Sequence, residues 1–117
     1  MRPRLIKLLG DIEQSGLAIQ SYIDGLTEAD YLKNQMLRRA VEREFEIIGE
    51  ALRLALIEDS GLAPKISNPR RIVSFRNVLA HGYGEVDDVT VWQIVINRLP
   101  LLLAEVRALL TEEQNRS

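Results

Sequence analysis

The single histidine of the chain, His81, stands five residues after Arg76 and two residues before Tyr83, in the stretch RNVLAHGYG. Asn77 follows the arginine and precedes the histidine by four residues. A planar guanidinium can bind two phosphate oxygens at once, and an imidazole can take or give a proton near neutral pH. These residue types therefore indicate a site that binds a phosphate and moves a proton beside it.

On an α-helix, His81 would lie nearly in line with Asn77 and about 140° round from Arg76. Asn77 could then orient the imidazole, while Arg76 reaches the site from the side. This pair suits RNA cleavage, in which a 2′-hydroxyl loses its proton and attacks the adjacent phosphate. The group that protonates the departing 5′-oxygen could be a second His81 in a symmetric dimer, Tyr83, Lys65 or water.

The same residues also have simpler interpretations. A histidine in the last turn of a helix, followed by a glycine, is common because the helix dipole and the free carbonyls favour it there. Tyr83 taken alone would be a packed surface aromatic. Arg70 and Arg71 could be a solvated face, or could form with Lys65 and Arg76 the local basic patch that RNA requires. Spacing alone leaves these alternatives open.

Composition limits the classes of protein and of site. With 117 residues, 46% of them hydrophobic, the chain is long enough to bury a core, and we expect one domain over residues 1–117. It has no cysteine and one histidine, so we expect no zinc site and no other cofactor. The net charge of −2 requires a local basic patch for any RNA binding. Lys7 and Asp11 interrupt any signal-peptide core, and no apolar run approaches a membrane span, so we expect a cytoplasmic protein.

Helical periodicity dominates the first half of the chain. Residues 4–24 predict an amphipathic helix that ends near Gly25. Thr27 and Asp30 form a capping-box pattern that opens a second helix lasting to about Glu58. Its predicted inner stripe is Met36, Ala40, Ile47, Ala51 and Ala55, widened by Val41, Ile48 and Leu52.

The helix that carries the motif is predicted to be short. Residues 58–69 contain glycine and proline and predict a loop, with Asn68 as N-cap and Pro69 at the first helical position. The third helix then runs to about His81, where Gly82 suits a left-handed C-terminal position.

A fourth helix is predicted from about residue 89 to residue 110, capped by Asp87 or Asp88. Pro100 must kink or restart it, and Asn97 could cap the restarted part. The leucines of its second half occupy more than one face, which fits either a deeply buried helix or a dimer interface. The predicted architecture is an all-α antiparallel bundle of four main helices, with the last helix kinked near Pro100.

Three segments resemble one known family. The stretch from Arg76 to Tyr83 matches the R-x(4)-H-x-Y signature of HepT-like toxins, a branch of the HEPN superfamily of small helical ribonucleases. Residues 40–51 resemble the family's second-helix segment, and residues 81–102 resemble its run into the last helix. Together these segments span most of the chain from about residue 36 onward, and they imply a HEPN-like bundle.

The resemblance implies roles for individual residues. It assigns Arg76 and His81 to a ribonuclease site formed between two protomers, and gives Asn77 a supporting place in the motif. It marks Tyr83 as the residue to which an MntA-like nucleotidyltransferase antitoxin transfers AMP. It thus implies the homodimeric toxin of a toxin–antitoxin system, a metal-independent endoribonuclease that leaves a 2′,3′-cyclic phosphate.

Two further hypotheses keep the same residues with another function. The chain could be a catalytically silent interaction module that binds the nucleotidyltransferase and is modified by it. More weakly, it could be a bundle that binds a nucleotide or another small anion through Arg76. Within the second-helix segment, we interpret Gly49 as allowing close helix packing and Glu50 as the partner of a basic residue near the site.

Overall fold

The computed structural model describes residues 2–81 and 86–116, the side chains of Ala80 and His81 excepted. Over these residues the chain is an all-α bundle without β-strands, as the periodicity predicts. Among them, no helix combines the length and the apolar character needed to cross a lipid bilayer. The helices are α1 (Pro3–Ile23), α2 (Glu28–Leu32), α3 (Gln35–Glu58), a 3₁₀ helix (Ser60–Lys65), α4 (Pro69–His81), α5 (Asp88–Asn97) and α6 (Leu99–Gln114).

Helix α3 lies at the centre of the bundle. It packs against α1 on one side and against α4 on the other, while α1 also contacts α6 and α2 contacts α5. The side chains between these helices are almost wholly buried, among them Leu9, Ile12, Ile19, Val41, Ile48, Leu52, Val95 and Val106. Because α4 rests on α3, the side chains of α3 that face α4 can act on the residues of the predicted site.

The predicted capping box is confirmed, but the long helix after it is interrupted. Thr27 N donates to Asp30 Oδ2 at 2.9 Å, and Asp30 N donates to Thr27 Oγ1 at 3.2 Å. Helix α2 nevertheless ends at Leu32, and Asn34 caps a new helix by accepting a hydrogen bond from Leu37 N at 3.0 Å. Asparagine favours caps over helix interiors because its side chain competes for main-chain hydrogen bonds.

The predicted inner stripe of this region is only partly right. Met36 is 83% exposed, because it lies in the first turn of α3, beyond the end of the core. The row expected only to widen the stripe is fully buried, and Phe45 joins it. Ala51 and Ala55 of the inner stripe are buried as predicted. Two neighbours, α1 and α4, cover α3 and bury a face wider than one stripe.

Helix α4 begins at Pro69 as predicted, but the segment before it is not simply a loop. Residues 60–65 form the 3₁₀ helix, which Asp59 caps by accepting a hydrogen bond from Gly61 N at 2.9 Å. Asn68 stands before α4 with a φ of 52°, a conformation that asparagine tolerates better than most residues. Its main-chain carbonyl accepts the hydrogen bond from Ile72 N at 3.3 Å.

The last predicted helix restarts near Pro100, as expected. Of the two candidate caps, Asp87 caps α5 by accepting from Val89 N at 3.0 Å, and Asp88 is the first helical residue. The predicted capping role of Asn97 is wrong. Its Nδ2 donates to Gln93 Oε1 at 2.9 Å within α5, and the position before α6 belongs to Arg98, without a side-chain cap.

The close approach of α3 and α4 depends on Gly49. A Cβ built at Gly49 would lie 2.5 Å from the Cβ of Arg76, far inside the normal contact distance. The Cβ of Arg76 is fixed to the helix backbone and cannot rotate away. The expectation that Gly49 permits close helix packing is therefore confirmed, and the residue it accommodates is the arginine of the motif.

We predict that Gly49→Ala destabilises the fold by about 1–3 kcal/mol, because α4 must shift to admit the new methyl group. The loss should appear although alanine favours helices more than glycine does. Gly10 in α1 is the matched control, since nothing lies within 4 Å of the Cβ it would gain. Urea unfolding of both variants tests this. Equal stabilisation by Gly49→Ala and Gly10→Ala would contradict it.

Candidate functional site

The guanidinium of Arg76 is held from two sides. Its Nη1 donates to the side-chain Oδ1 of Asn77 at 3.0 Å, and its Nη2 lies 3.5 Å from Oε2 of Glu50 on α3. The side chain is 30% exposed. Within the described part of the chain it makes no other hydrogen bond, so further N–H groups are available to an anionic ligand.

Glu50 is shared between two arginines. Arg53 Nε donates to Glu50 Oε1 at 2.7 Å, while Oε2 faces Arg76. The hydrogen bond from Arg53, together with the positive charges of both arginines, holds the pKa of Glu50 below its usual range. Glu50 therefore carries a full negative charge at neutral pH, and the expected pairing with a basic residue near the site is confirmed. Arg53 was not predicted, although its i, i+3 spacing from Glu50 is a recognisable helix-pair signal.

A cavity of about 280 Å³ lies beside Arg76 and Glu50, between α1 and α3. Its polar lining includes three carboxylates, Asp11, Glu46 and Glu50. Two guanidiniums, those of Arg43 and Arg76, line it as well, so the lining has an excess of one negative charge, which disfavours a bound anion. We infer that an anion would approach Arg76 from the side facing away from it.

The backbone of α4 carries the helix through His81, as the motif predicts. An ideal helix places His81 about 140° round from Arg76 and about 7.5 Å further along the axis. The imidazole, Gly82 and Tyr83 lie outside the described residues, and so do the predicted contact of Asn77 with the imidazole and the predicted left-handed glycine. Asn77 itself is exposed and contacts Arg76.

A larger groove of about 580 Å³ opens between α4 and the α5–α6 pair. Arg70 and Arg71 both line it, and they are joined by Arg98, which sequence analysis missed because it lies in a distant helix turn. The wall is mainly apolar, with Phe45, Ile48, Ile72, Phe75, Val78, Ile94, Leu99, Leu101 and Leu102. Val78 and Leu101 are 44% and 43% exposed, so the groove presents unusual apolar surface to solvent.

The other members of the predicted basic patch lie elsewhere. Lys65, at the end of the 3₁₀ helix, pairs with Glu112 Oε1 at 3.3 Å and does not line the groove. Arg76 faces Glu50 on the α3 side of α4. The structure therefore brings Arg70 and Arg71 together, but not the four basic residues as one surface.

Comparison with known proteins adds to this geometry. The family model described as "Ribonuclease HepT-like" matches residues 12–109. A candidate RNase of Methanocaldococcus jannaschii is 32% identical over 100 residues, which cover 84% of this chain and 89% of the relative. A candidate RNase of Caldanaerobacter subterraneus is 29% identical over 92 residues, covering 79% and 81%, respectively.

A second candidate RNase of Methanocaldococcus jannaschii is 26% identical over 104 residues, covering 89% of this chain and 85% of the relative. No solved structure matches the chain significantly. The family match includes the whole of α4 and the two helices that follow it down to residue 109. The chain therefore belongs to the HepT-like ribonuclease family.

Proposed function

We propose that this protein is a metal-independent endoribonuclease, the toxin of a toxin–antitoxin system, acting as a homodimer. The observation that carries the proposal is the pair of contacts that orient the guanidinium of Arg76. A residue of the family's motif is held by Glu50 and Asn77, and it keeps N–H groups available on a helix that ends at His81. Membership of the HepT-like ribonuclease family supports RNA as the substrate.

The proposed reaction is internal transesterification. His81 takes the proton of a ribose 2′-hydroxyl, and the 2′-oxygen attacks the adjacent phosphorus. Arg76 binds the non-bridging oxygens and stabilises the charge that builds on them. The bond from phosphorus to the 5′-oxygen then breaks, which leaves a 2′,3′-cyclic phosphate on one product and a 5′-hydroxyl on the other.

The departing 5′-oxygen needs a proton. A second His81 brought by a symmetry-related protomer would supply it and would give each cleft one base and one acid. Tyr83, Lys65 and water are the alternatives. Lys65 is the weakest of these, because its ammonium already pairs with Glu112 at 3.3 Å.

We predict that His81→Ala and Arg76→Ala both remain folded and lose nearly all cleavage. Removing a general acid–base group typically costs about 10²- to 10⁴-fold in rate. The assay is cleavage of a mixed RNA pool by the purified protein in EDTA, with the product ends identified by mass spectrometry. Full activity of His81→Ala, or inactivity of the wild type in EDTA alone, would contradict the mechanism. Inactivity of the wild type under all conditions would favour the silent interaction module.

The groove between α4 and α5–α6 supports the dimer. It exposes apolar side chains of α4, and α4 is the helix that carries the motif. A second copy that covered the groove would bury Val78 and Leu101 and would bring two copies of α4 together. That arrangement suits a composite cleft in which the two motifs face each other.

We predict a dimer at micromolar concentration in sedimentation velocity. Leu101→Asp should shift the protein to the monomer, because it would place a carboxylate in the apolar interface. The matched control is Ile57→Asp on α3, which changes a side chain that is 69% exposed and outside the groove. A monomeric wild type, or an unchanged dimer in Leu101→Asp, would count against this interface.

Tyr83 is the proposed point of control. An AMP group on its hydroxyl would add a negative phosphate and a bulky nucleoside two residues from His81. The phosphate would compete for Arg76 and repel the RNA backbone, and the nucleoside would block the path of the strand. Inhibition would then need no unfolding of the bundle. The proposed modifying enzyme is an MntA-like nucleotidyltransferase antitoxin.

We predict that co-expression with such a nucleotidyltransferase adds AMP-sized mass increments to the wild type and none to Tyr83→Phe. Phenylalanine keeps the ring but lacks the oxygen that accepts AMP. Intact-protein mass spectrometry makes the measurement, and Tyr22→Phe in α1 controls for the loss of an exposed tyrosine. Equal labelling of wild type and Tyr83→Phe would place the modification elsewhere, and no labelling of either would argue against this control.

A further inference from the structure

We propose that Glu50 is a positioning residue for Arg76, which fixes the guanidinium on the phosphate-binding side of α4. The inference rests on the proposed ribonuclease function and adds a residue outside the R-x(4)-H-x-Y motif. Its basis is the contact of Arg76 Nη2 with Glu50 Oε2 across the α3–α4 interface.

An arginine side chain has many rotamers, so a useful guanidinium needs fixed neighbours. Arg76 has two such neighbours, and they differ in kind. Asn77 is the next residue in the chain and moves with α4, whereas Glu50 belongs to α3. Among the described residues, Glu50 is therefore the one partner that ties the guanidinium to another helix of the bundle.

Glu50 is itself held firmly enough to act as a reference. Arg53 contacts both of its oxygens, with Nε 2.7 Å from Oε1 and Nη2 3.4 Å from Oε2. The neighbouring Gly49 lets the backbones of α3 and α4 come close, which brings the carboxylate within reach of Arg76. The three side chains thus form a row, from Arg53 through Glu50 to Arg76.

The last contact in this row is loose. Charge-assisted hydrogen bonds between a nitrogen cation and a carboxylate are typically about 2.7–2.9 Å long, and the separation of Arg76 Nη2 from Glu50 Oε2 is 3.5 Å. This contact orients the guanidinium without occupying all of its N–H groups, so a phosphate can bind the others. Glu50 then has two opposite effects: it orients Arg76 for the reaction, and its charge repels the RNA backbone.

These two effects predict an unusual pair of changes. Glu50→Gln should lower kcat by about 10- to 100-fold, since a misplacement of about 1 Å at a reacting group can cost 10²-fold. The same change should lower KM, because one negative charge near the phosphate is gone. A purely structural role would lower the amount of folded protein and leave the kcat of the folded fraction unchanged.

Glu46 provides the matched control. It lies one helical turn before Glu50 and lines the same small cavity, but its carboxylate pairs with Arg43 at 3.4 Å. Glu46→Gln should lower KM through the same loss of charge and leave kcat unchanged. Glu50→Asp tests the length of the side chain separately from its charge. It keeps the carboxylate but moves it away from Arg76, so it should lower kcat without lowering KM.

A second measurement needs no RNA. Rotation about the Cζ–Nη bonds of Arg76, followed by NMR of the full chain, should be faster in Glu50→Gln than in wild type and unchanged in Glu46→Gln. If the wild type cleaves no RNA, the proposed function fails, and this rotation still decides whether Glu50 holds Arg76. Unaltered rotation, or a kcat for Glu50→Gln equal to that of Glu46→Gln, would overturn the inference.

Discussion

The approach of α4 to α3 at Gly49 is the constraint on which the geometry of the site depends. Gly49 has no side chain, and a Cβ added there would lie only 2.5 Å from the Cβ of Arg76. This places Glu50 in range of the guanidinium and sets how far the arginine projects from the bundle. A small residue in one helix thus determines the position of a charged residue in another.

Helix α4 separates two surfaces of different electrostatic character. On the α3 side, the small cavity is lined by three carboxylates, Asp11, Glu46 and Glu50, and by two guanidiniums, Arg43 and Arg76. On the α5–α6 side, the groove is mainly apolar, and its charged lining residues are three arginines and Glu105. Carboxylates outnumber guanidiniums in the lining of the first surface, and guanidiniums outnumber carboxylates in the second, although the whole chain has a net charge of −2. The two sides of one helix thus differ in local charge, a difference that the net charge of the chain does not reveal.

Sequence periodicity and capping signals predicted the helical bundle, the start of α4 at Pro69 and the restart near Pro100. They failed where tertiary packing decides. Met36 fits the helical stripe but lies beyond the core, and Asn34 caps a new helix where the apolar pattern predicts an unbroken one. The motif indicated Arg76, and Glu50 was predicted to pair with a basic residue near the site. The sequence did not predict that Arg98 lines the same groove as Arg70 and Arg71, because no sequence spacing links these positions.

The chain has a single histidine, so the proposed reaction needs a second proton-transfer group from another source. Cleavage by transesterification needs one group to remove a proton and another to return one, and the motif supplies one imidazole per chain. Glu50 contacts Arg76 from the α3 side, so a ligand would reach this guanidinium from the side that faces away from α3. The apolar groove runs along a different face of α4, where the exposed Val78 lies three residues before His81. Under the proposed function, a second copy covering the groove would bury this apolar surface and bring two copies of α4 together, as a cleft with two imidazoles requires.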